Sequence, residues 1–200
     1  MSKNARNKNA RKANALTQRE IAWGGIAFYA VIGLVAVVAI GFTFMQTRSS
    51  ADSPSVAGLV TKDDLGREHV SGTVAYDTSP PMGGDHNPVW QNCDGRVYDA
   101  PLQNENAVHS LEHGAVWITY RPGLAAAQLD ALTNKVTGID YTMLSPYPAQ
   151  DAPIKLTAWG HQLSLDDASD PRVDEFLRGF VKGPQTPEPG AACDGAKDTP

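Results

Sequence analysis

The sequence predicts an α+β fold: a single N-terminal transmembrane helix followed by a small extracytoplasmic α+β domain. A charge-free apolar stretch covers residues 21–45, and the strand-like and helix-like segments after it do not alternate strictly. We therefore expect five regions: a basic cytoplasmic tail (1–20), the membrane helix (21–45), a linker (46–60), the α+β domain (61–183) and a Pro/Gly-rich tail (184–200).

The predicted membrane helix is long enough to cross a bilayer. Its 25 residues extend about 37 Å as a helix, against a hydrocarbon core of about 30 Å. The alternative is a cleaved signal peptide with its cleavage site near Ser49–Ala51, but the apolar region of such peptides is usually about 7–15 residues long. An uncleaved anchor is favoured, and it makes the lipid membrane the first expected partner.

The distribution of charge predicts the orientation of the chain in the membrane and argues against one class of partner. Residues 1–20 carry six basic residues and one acidic residue, whereas the remainder carries eleven basic and twenty-one acidic residues. Basic residues before the span place the N-terminus in the cytoplasm and the C-terminal domain outside the plasma membrane. The acidic body argues against binding of nucleic acid.

The chain has two cysteines, Cys93 and Cys193. Both follow the predicted span, in a compartment where disulfides persist. A disulfide between them is favoured over two separate thiols, and they lack the close CxxC spacing of many metal sites. The bond would tie the C-terminal tail to the body of the domain.

The domain elements follow in order from local signals. Val70–Tyr76 shows a short alternation that predicts a strand, and Pro and Gly make Asp77–Gly95 a long loop. Asn104–Gly114 predicts a short helix, capped by Asn104 or Asn106 and ended by Gly114. The remaining elements are a buried strand (Ala115–Arg121), a helix (Leu124–Val136), two strands (Tyr141–Ser145 and Pro153–Trp159) and a last helix (Asp170–Val181).

The short helix carries the candidate chemistry. His109 and His113 are four residues apart, so they lie one turn apart on one helix face, as two metal ligands often do. Together with Glu112 they form an H-x-x-E-H spacing, and His86 in the preceding loop adds a third histidine. A metal site of His86, His109, His113 and Glu112 is the sharpest hypothesis, with zinc or copper as the ion.

Other donors and other readings stay open. Met82 and Asp85 precede His86, and His161 at a strand end is a further donor. Methionine with histidine suits copper, whereas three histidines, or histidine with carboxylate, suit zinc. H-x-x-E-H also occurs in metallopeptidases, where the glutamate is a base. The motif alone shows no third ligand, and the short helix and small domain make an enzyme the weaker hypothesis. The structural alternative is that the histidines hydrogen-bond to backbone carbonyls and only stabilise the fold.

The segments "SPPMGGDH", "VYDAPLQNENAVHSLEHGAVWITYRP" and "PEPGAAC" resemble the domain-of-unknown-function 3105 family, common in actinobacterial membrane-anchored proteins. The resemblance covers residues 76–193. Matching positions are His86, His109, Leu111, Glu112, His113 and Gly114. Met82 and Asp85 depart from the family pattern, which counts against a methionine-containing copper site.

The family implies a domain and a motif and no reaction. The sequence therefore predicts a membrane-anchored extracytoplasmic domain that binds zinc or copper through its histidines. The alternatives are a non-catalytic accessory subunit of a cell-envelope complex, such as a respiratory assembly, and a metal-dependent hydrolase.

Overall fold

The computed structural model describes Tyr29, residues 31–37 and residues 55–200. The chain divides into two compact units, Met1–Ser50 and Ala51–Pro200. In the first unit, residues 31–37 are helical. The predicted basic tail and most of the predicted membrane helix lie outside the described residues, and within the described ones no helix combines the length and the apolar character needed to span a bilayer.

The described part of the second unit is α+β, as the sequence predicts. Its sheet has six strands, and three helices accompany it. In chain order the elements are β1 (Val60–Thr61), β2 (Asp94–Val97), α1 (Asn104–Glu112), β3 (Val116–Tyr120), α2 (Ala126–Val136), β4 (Thr142–Pro146), β5 (Ile154–Ala158), β6 (His161–Leu165) and α3 (Arg172–Phe180).

The sheet is mixed, with strand order β1-β6-β5-β3-β4-β2. β4 pairs in parallel with both β2 and β3, while β3 with β5, β5 with β6 and β1 with β6 pair antiparallel. The parallel pair β3 and β4 is joined through α2, because parallel strands need a crossover. The antiparallel pair β5 and β6 is joined by a tight turn at Trp159–Gly160.

The two faces of the sheet build two cores. On β3, Val116 and Ile118 pack into the first core together with side chains of α2 and α3. Trp117, which points to the opposite face because strand side chains alternate, packs into the second core. That second core contains Leu111 of α1 and the cysteine pair. The H-x-x-E-H motif, residues 109–113, is therefore on the α1 face of the sheet.

Helix α1 is covered on every side. Residues 106–112 are all buried, including the ionisable His109 and Glu112. The loop before β2 and the C-terminal tail supply the cover, because both hydrogen-bond to this helix or its end. Gly114 follows the helix with φ +104°, and a Cβ there would lie 3.0 Å from Thr186 Cγ2. Glycine therefore ends the helix as predicted and lets the tail approach.

Two expectations about secondary structure are wrong, and three strands were not predicted. Val70–Tyr76 forms no strand, because Gly72 takes φ +100° and the backbone of Val70 instead bonds to the loop at His86. Helix α1 is capped at Gln103, without a side-chain hydrogen bond, and neither predicted asparagine is its cap. The sequence reading also missed β1, β2 and β6, of which β1 and β2 are short edge strands.

Candidate metal centre

Four side chains from three separate segments converge on one point. They are His69, His86, His109 and Glu112, and one ligand atom from each lies within 4.8 Å of the others. The ring centroids of His69, His86 and His109 are 4.7–4.9 Å apart. His86, His109 and Glu112 are buried, whereas 45% of the His69 side chain is exposed. The cluster is thus a mostly buried group with one face open to solvent.

Helix α1 supplies two members of the group. His109 and Glu112 are three residues apart, so both side chains lie on the same helix face. Ser110, between them, donates from Oγ to the carbonyl of Gln91 at 2.5 Å, which attaches the helix to the loop. The helix therefore fixes the spacing of His109 and Glu112.

The loop before β2 supplies His86. Gly84 takes φ +119°, a conformation that favours glycine, and its carbonyl accepts a hydrogen bond from His86 Nδ1 at 2.7 Å. The side chain of Tyr76 covers Gly84 on the other side, and its hydroxyl donates to the carbonyl of Asp85 at 2.7 Å. The loop is thus built to hold the His86 ring in place.

His69 reaches the group through a backbone bridge to His86. The amide of Val70 donates to the His86 carbonyl at 2.8 Å, and the His86 amide donates to the Glu68 carbonyl at 3.0 Å. The Glu68 amide in turn donates to Asp85 Oδ1 at 3.1 Å. Two segments that are distant in sequence are therefore locked in register, with their histidines side by side.

Backbone carbonyls fix the rings of the buried histidines. His109 Nδ1 lies 2.7 Å from the Asn87 carbonyl, matching the His86 arrangement. A carbonyl only accepts, so Nδ1 carries a proton in each ring, and a neutral ring would present Nε2 as a lone-pair donor. Metal-ligating histidines show this same outer hydrogen bond. Bonding to carbonyls and convergence on one point, which the sequence analysis posed as alternatives, occur together.

The closest contact in the group joins His86 and Glu112. His86 Nε2 lies 2.9 Å from Glu112 Oε2, both groups are buried, and Nε2 has no partner with hydrogen-bond geometry. Because His86 Nδ1 already carries a proton, a neutral His86 would direct a lone pair at a carboxylate oxygen. This arrangement calls for a positive species between the two atoms, either a second ring proton or a cation.

Burial keeps the helix histidines neutral. The pKa of His109 is lowered to about 4, chiefly by burial, with the neighbouring His113, His86 and His69 adding repulsion and the Asn87 carbonyl partly opposing the shift. Burial also lowers the pKa of His113. Neutral imidazole is the form that binds a metal ion, so at neutral pH His109 needs no deprotonation before binding.

His113 lies beside the group and outside it. Its ring is 4.5 Å from that of His109, but its Nδ1 lies 2.6 Å from the Ala192 carbonyl and its Nε2 lies 3.9 Å from Glu188 Oε2. Of the four ligands predicted from sequence, the structure brings together His86, His109 and Glu112. His69 stands in the place that the sequence analysis gave to His113.

The other predicted donors lie away from the group. His161 Nδ1 lies 2.8 Å from the Trp159 carbonyl, and its ring packs against Phe180. Met82 is buried, and its carbonyl accepts from the Gly160 amide at 2.7 Å. Asp85 binds the Glu68 amide. The four-residue group therefore contains nitrogen and oxygen donors and no sulfur.

Aromatic rings line the histidines. The Trp90 ring lies 5.8 Å from His109 and 5.2 Å from His113, and the Trp159 ring lies 6.0 Å from His86. Trp117 is fully buried in the core, whereas Trp90 and Trp159 border the histidines.

The predicted disulfide between Cys93 and Cys193 is present, with the Cα atoms 4.7 Å apart. It holds the C-terminal tail across the end of α1. The Glu188 amide donates to the Glu112 carbonyl at 3.0 Å, and the Tyr141 hydroxyl donates to the Ala191 carbonyl at 2.9 Å. The tail that covers His113 is therefore covalently fixed to the loop that carries the His86 side of the group.

Comparison with known proteins places the chain in a family. The family model described as a protein of unknown function, DUF3105, matches residues 69–195. The match begins at His69, the member of the group that sequence reasoning missed, and ends just after Cys193. No curated protein and no solved structure matches the chain. Since the match covers well over half of the sequence, the chain belongs to the DUF3105 family.

Proposed function

We propose that this domain binds one divalent transition-metal ion through His69, His86, His109 and Glu112. The observation that carries the proposal is the 2.9 Å approach of His86 Nε2 to Glu112 Oε2, with the opposite ring nitrogen of His86 already donating to a carbonyl. With a neutral His86 the contact would set a nitrogen lone pair against a carboxylate oxygen, and a metal ion bound by both atoms would replace it with two coordination bonds.

The donor set favours zinc or copper(II). Zinc binds histidine nitrogen at about 2.0–2.1 Å, so tetrahedral ligand atoms lie roughly 3.3–3.4 Å apart. The His86–Glu112 and His69–Glu112 atom pairs, at 2.9 and 3.8 Å, fall on either side of that spacing. Imidazole suits both metals, whereas copper(I) prefers sulfur, which this group lacks.

Charge also suits a divalent cation. Glu112 is the one carboxylate of the group, and the three histidines bind as neutral rings. A divalent ion then leaves a single net positive charge in a largely buried site, which costs less desolvation than an uncompensated ion.

A peptidase is a weaker second function. In H-x-x-E-H peptidases the glutamate acts as a base next to the ion. Here Glu112 is itself among the ligand atoms, and His113 is turned away towards the tail. The exposed carboxylate of Glu188 lies near His113 and not within the group.

We further propose that the ion is bound outside the cell membrane, in a domain anchored by residues 21–45. The apolar, uncharged composition of that stretch and the basic residues before it support this topology. The buried disulfide between Cys93 and Cys193 supports an oxidising compartment. A membrane complex that includes this chain would then meet the domain on the outer face.

Metal analysis of the full-length chain, purified in mild detergent after zinc loading and desalting, tests the ion-binding proposal. We expect one zinc per chain, and its loss in His86→Ala and His109→Ala. His161→Gln is the matched control, because His161 makes the same type of carbonyl contact outside the group and should retain the ion. A zinc content near zero in the wild-type chain would refute the proposal.

A further inference from the structure

His69 differs from the other three members of the group in two ways. Its side chain is 45% exposed, against 0% for His86 and 4% for Glu112. Its ring also makes no hydrogen bond to a carbonyl within the described part of the chain, whereas the rings of His86 and His109 both do. Three ligands are thus fixed and buried, and the fourth is neither.

The backbone of His69 is nevertheless held. Hydrogen bonds from Val70 to His86 and from His86 to Glu68 fix the chain on both sides of it. Its ring stacks on the ring of His109 at 4.7 Å, along the outer face of the cluster. Rotation about the side-chain bonds of His69 would open the outer face without moving the buried ligands or the bridge.

Resting on the proposed function, we infer that His69 is an exchangeable ligand, whose place on the ion is taken by an imidazole-type nitrogen donor from solvent. In the exchange the metal bond to His69 nitrogen breaks and a bond to the incoming neutral nitrogen forms. No electron is transferred and no proton is released. The buried trio of His86, His109 and Glu112 keeps the ion throughout.

This assignment gives the site a role beyond holding the fold together. Structural zinc sites are closed, whereas sites that act on a ligand keep one position open to exchange. Because the open position faces solvent at His69, the domain is suited to pass its ion to, or receive it from, an external nitrogen donor. A site closed by four fixed ligands would not offer that route.

Cobalt(II) substitution in the full-length chain tests the inference, with visible absorption as the readout. Loss of even an outer-shell partner weakens metal binding by roughly 10-fold. We therefore expect His69→Gly to bind cobalt at least about 10-fold more weakly than the wild-type chain does. Millimolar imidazole should restore both the affinity and the wild-type absorption bands. His86→Gly is the matched control. Imidazole should not restore cobalt binding to this variant, because His86 is fully buried.

The outcomes separate the inference from the proposed function. If the wild-type chain binds no cobalt, the proposed metal site itself is refuted. If the wild-type chain binds cobalt but imidazole does not restore cobalt binding to His69→Gly, only the exchangeable ligand is refuted. Equal restoration of cobalt binding in His86→Gly would refute it too. In the unmodified chain, imidazole should also accelerate transfer of the ion to a chelator, and no acceleration would count against exchange at His69.

Discussion

The Nε2 atom of His86 and the Oε2 atom of Glu112 lie 2.9 Å apart in the interior of the domain, although the two residues are 26 positions apart in sequence. The ring of His86 is fixed from behind by the carbonyl of Gly84, and the carboxylate is fixed by helix α1. Neither group can retreat easily from the other. The contact is therefore the point at which a bound cation would have the largest effect on the fold.

Replacing Glu112 with glutamine should abolish metal-dependent stabilisation with little change of shape. Ligand at about 100 times its Kd stabilises the folded state by about 2.7 kcal/mol, which for a domain of this size raises Tm by roughly 5–10 °C. We expect that rise with zinc for the wild-type chain and almost none for Glu112→Gln. Thermal melts with zinc and with chelator measure it, and an equal rise in both proteins would remove Glu112 from the ligand set.

Lowering the pH should destabilise the metal-free domain between about 6.5 and 4. In that window the unfolded chain protonates His109, whereas the folded chain does not, since its pKa is about 4. Unfolding therefore takes up a proton, and stability falls as the pH falls. His109→Gln should flatten this slope in denaturant titrations run with chelator. A slope of unchanged steepness would show that other groups cause the acid sensitivity.

Removing the disulfide should loosen the tail and lower stability. The bond closes a loop between residues 100 positions apart, and removal of such bonds typically costs about 2–5 kcal/mol. We expect the Cys93→Ser/Cys193→Ser variant to unfold at lower denaturant concentration and the wild-type chain to match it after reduction. Hydrogen exchange should rise first at Glu188 and Ala191, whose amides are bonded in the native tail. Unaltered exchange there would show that the tail is held without the bond.

Substituting Gly114 should test how closely the tail packs on α1. Alanine there must adopt a positive φ, which costs about 1–2 kcal/mol, and its Cβ would also lie 3.0 Å from Thr186 and 3.1 Å from Lys182. Gly123 is the control, because it has φ +95° with open space around it. Gly114→Ala should lose more stability than Gly123→Ala in denaturant unfolding. Equal losses of stability would mean that the tail can move away from the new Cβ without a loss of free energy.

Local signals in the sequence were sufficient for the centre of the domain. Strand β3 is apolar and β-branched and lies between two other strands, so its burial could be predicted from composition alone. Helix α1 ends at a glycine, and α3 places Val173, Phe176 and Phe180 on one buried stripe. The cysteine pair followed from the compartment inferred for residues 46–200.

The place of His69 in the cluster could not be predicted in the same way. Its position depends on the register between residues 68–70 and residues 85–86, which is set by two backbone hydrogen bonds and by a bond from the Glu68 amide to the Asp85 side chain, and no periodic pattern in the sequence indicates it. The exclusion of His113 is equally non-local, because the Ala192 carbonyl that engages its ring is 79 positions away. Helical spacing placed His113 on the correct face but could not show what it would meet there.

Strand β6 was missed because it contains buried polar residues. Gln162 is buried, and its amide donates to the Pro80 carbonyl and to Thr157 Oγ1, both at 3.0 Å. These partners remove the cost of burying the amide, but they come from a distant loop and from the neighbouring strand. Without them the segment has too few apolar residues to indicate a central strand.

X-ray absorption at the zinc edge of the zinc-loaded full-length chain is the most direct test of the metal centre. We expect one zinc per chain with about four nitrogen and oxygen neighbours at about 2.0–2.1 Å, and the outer-shell scattering of three imidazole rings. The imidazole signal should fall by about one ring in His69→Gly and stay unchanged in His161→Gln. Sulfur neighbours at about 2.3 Å, or an imidazole signal that falls in His161→Gln and not in His69→Gly, would contradict the site described above.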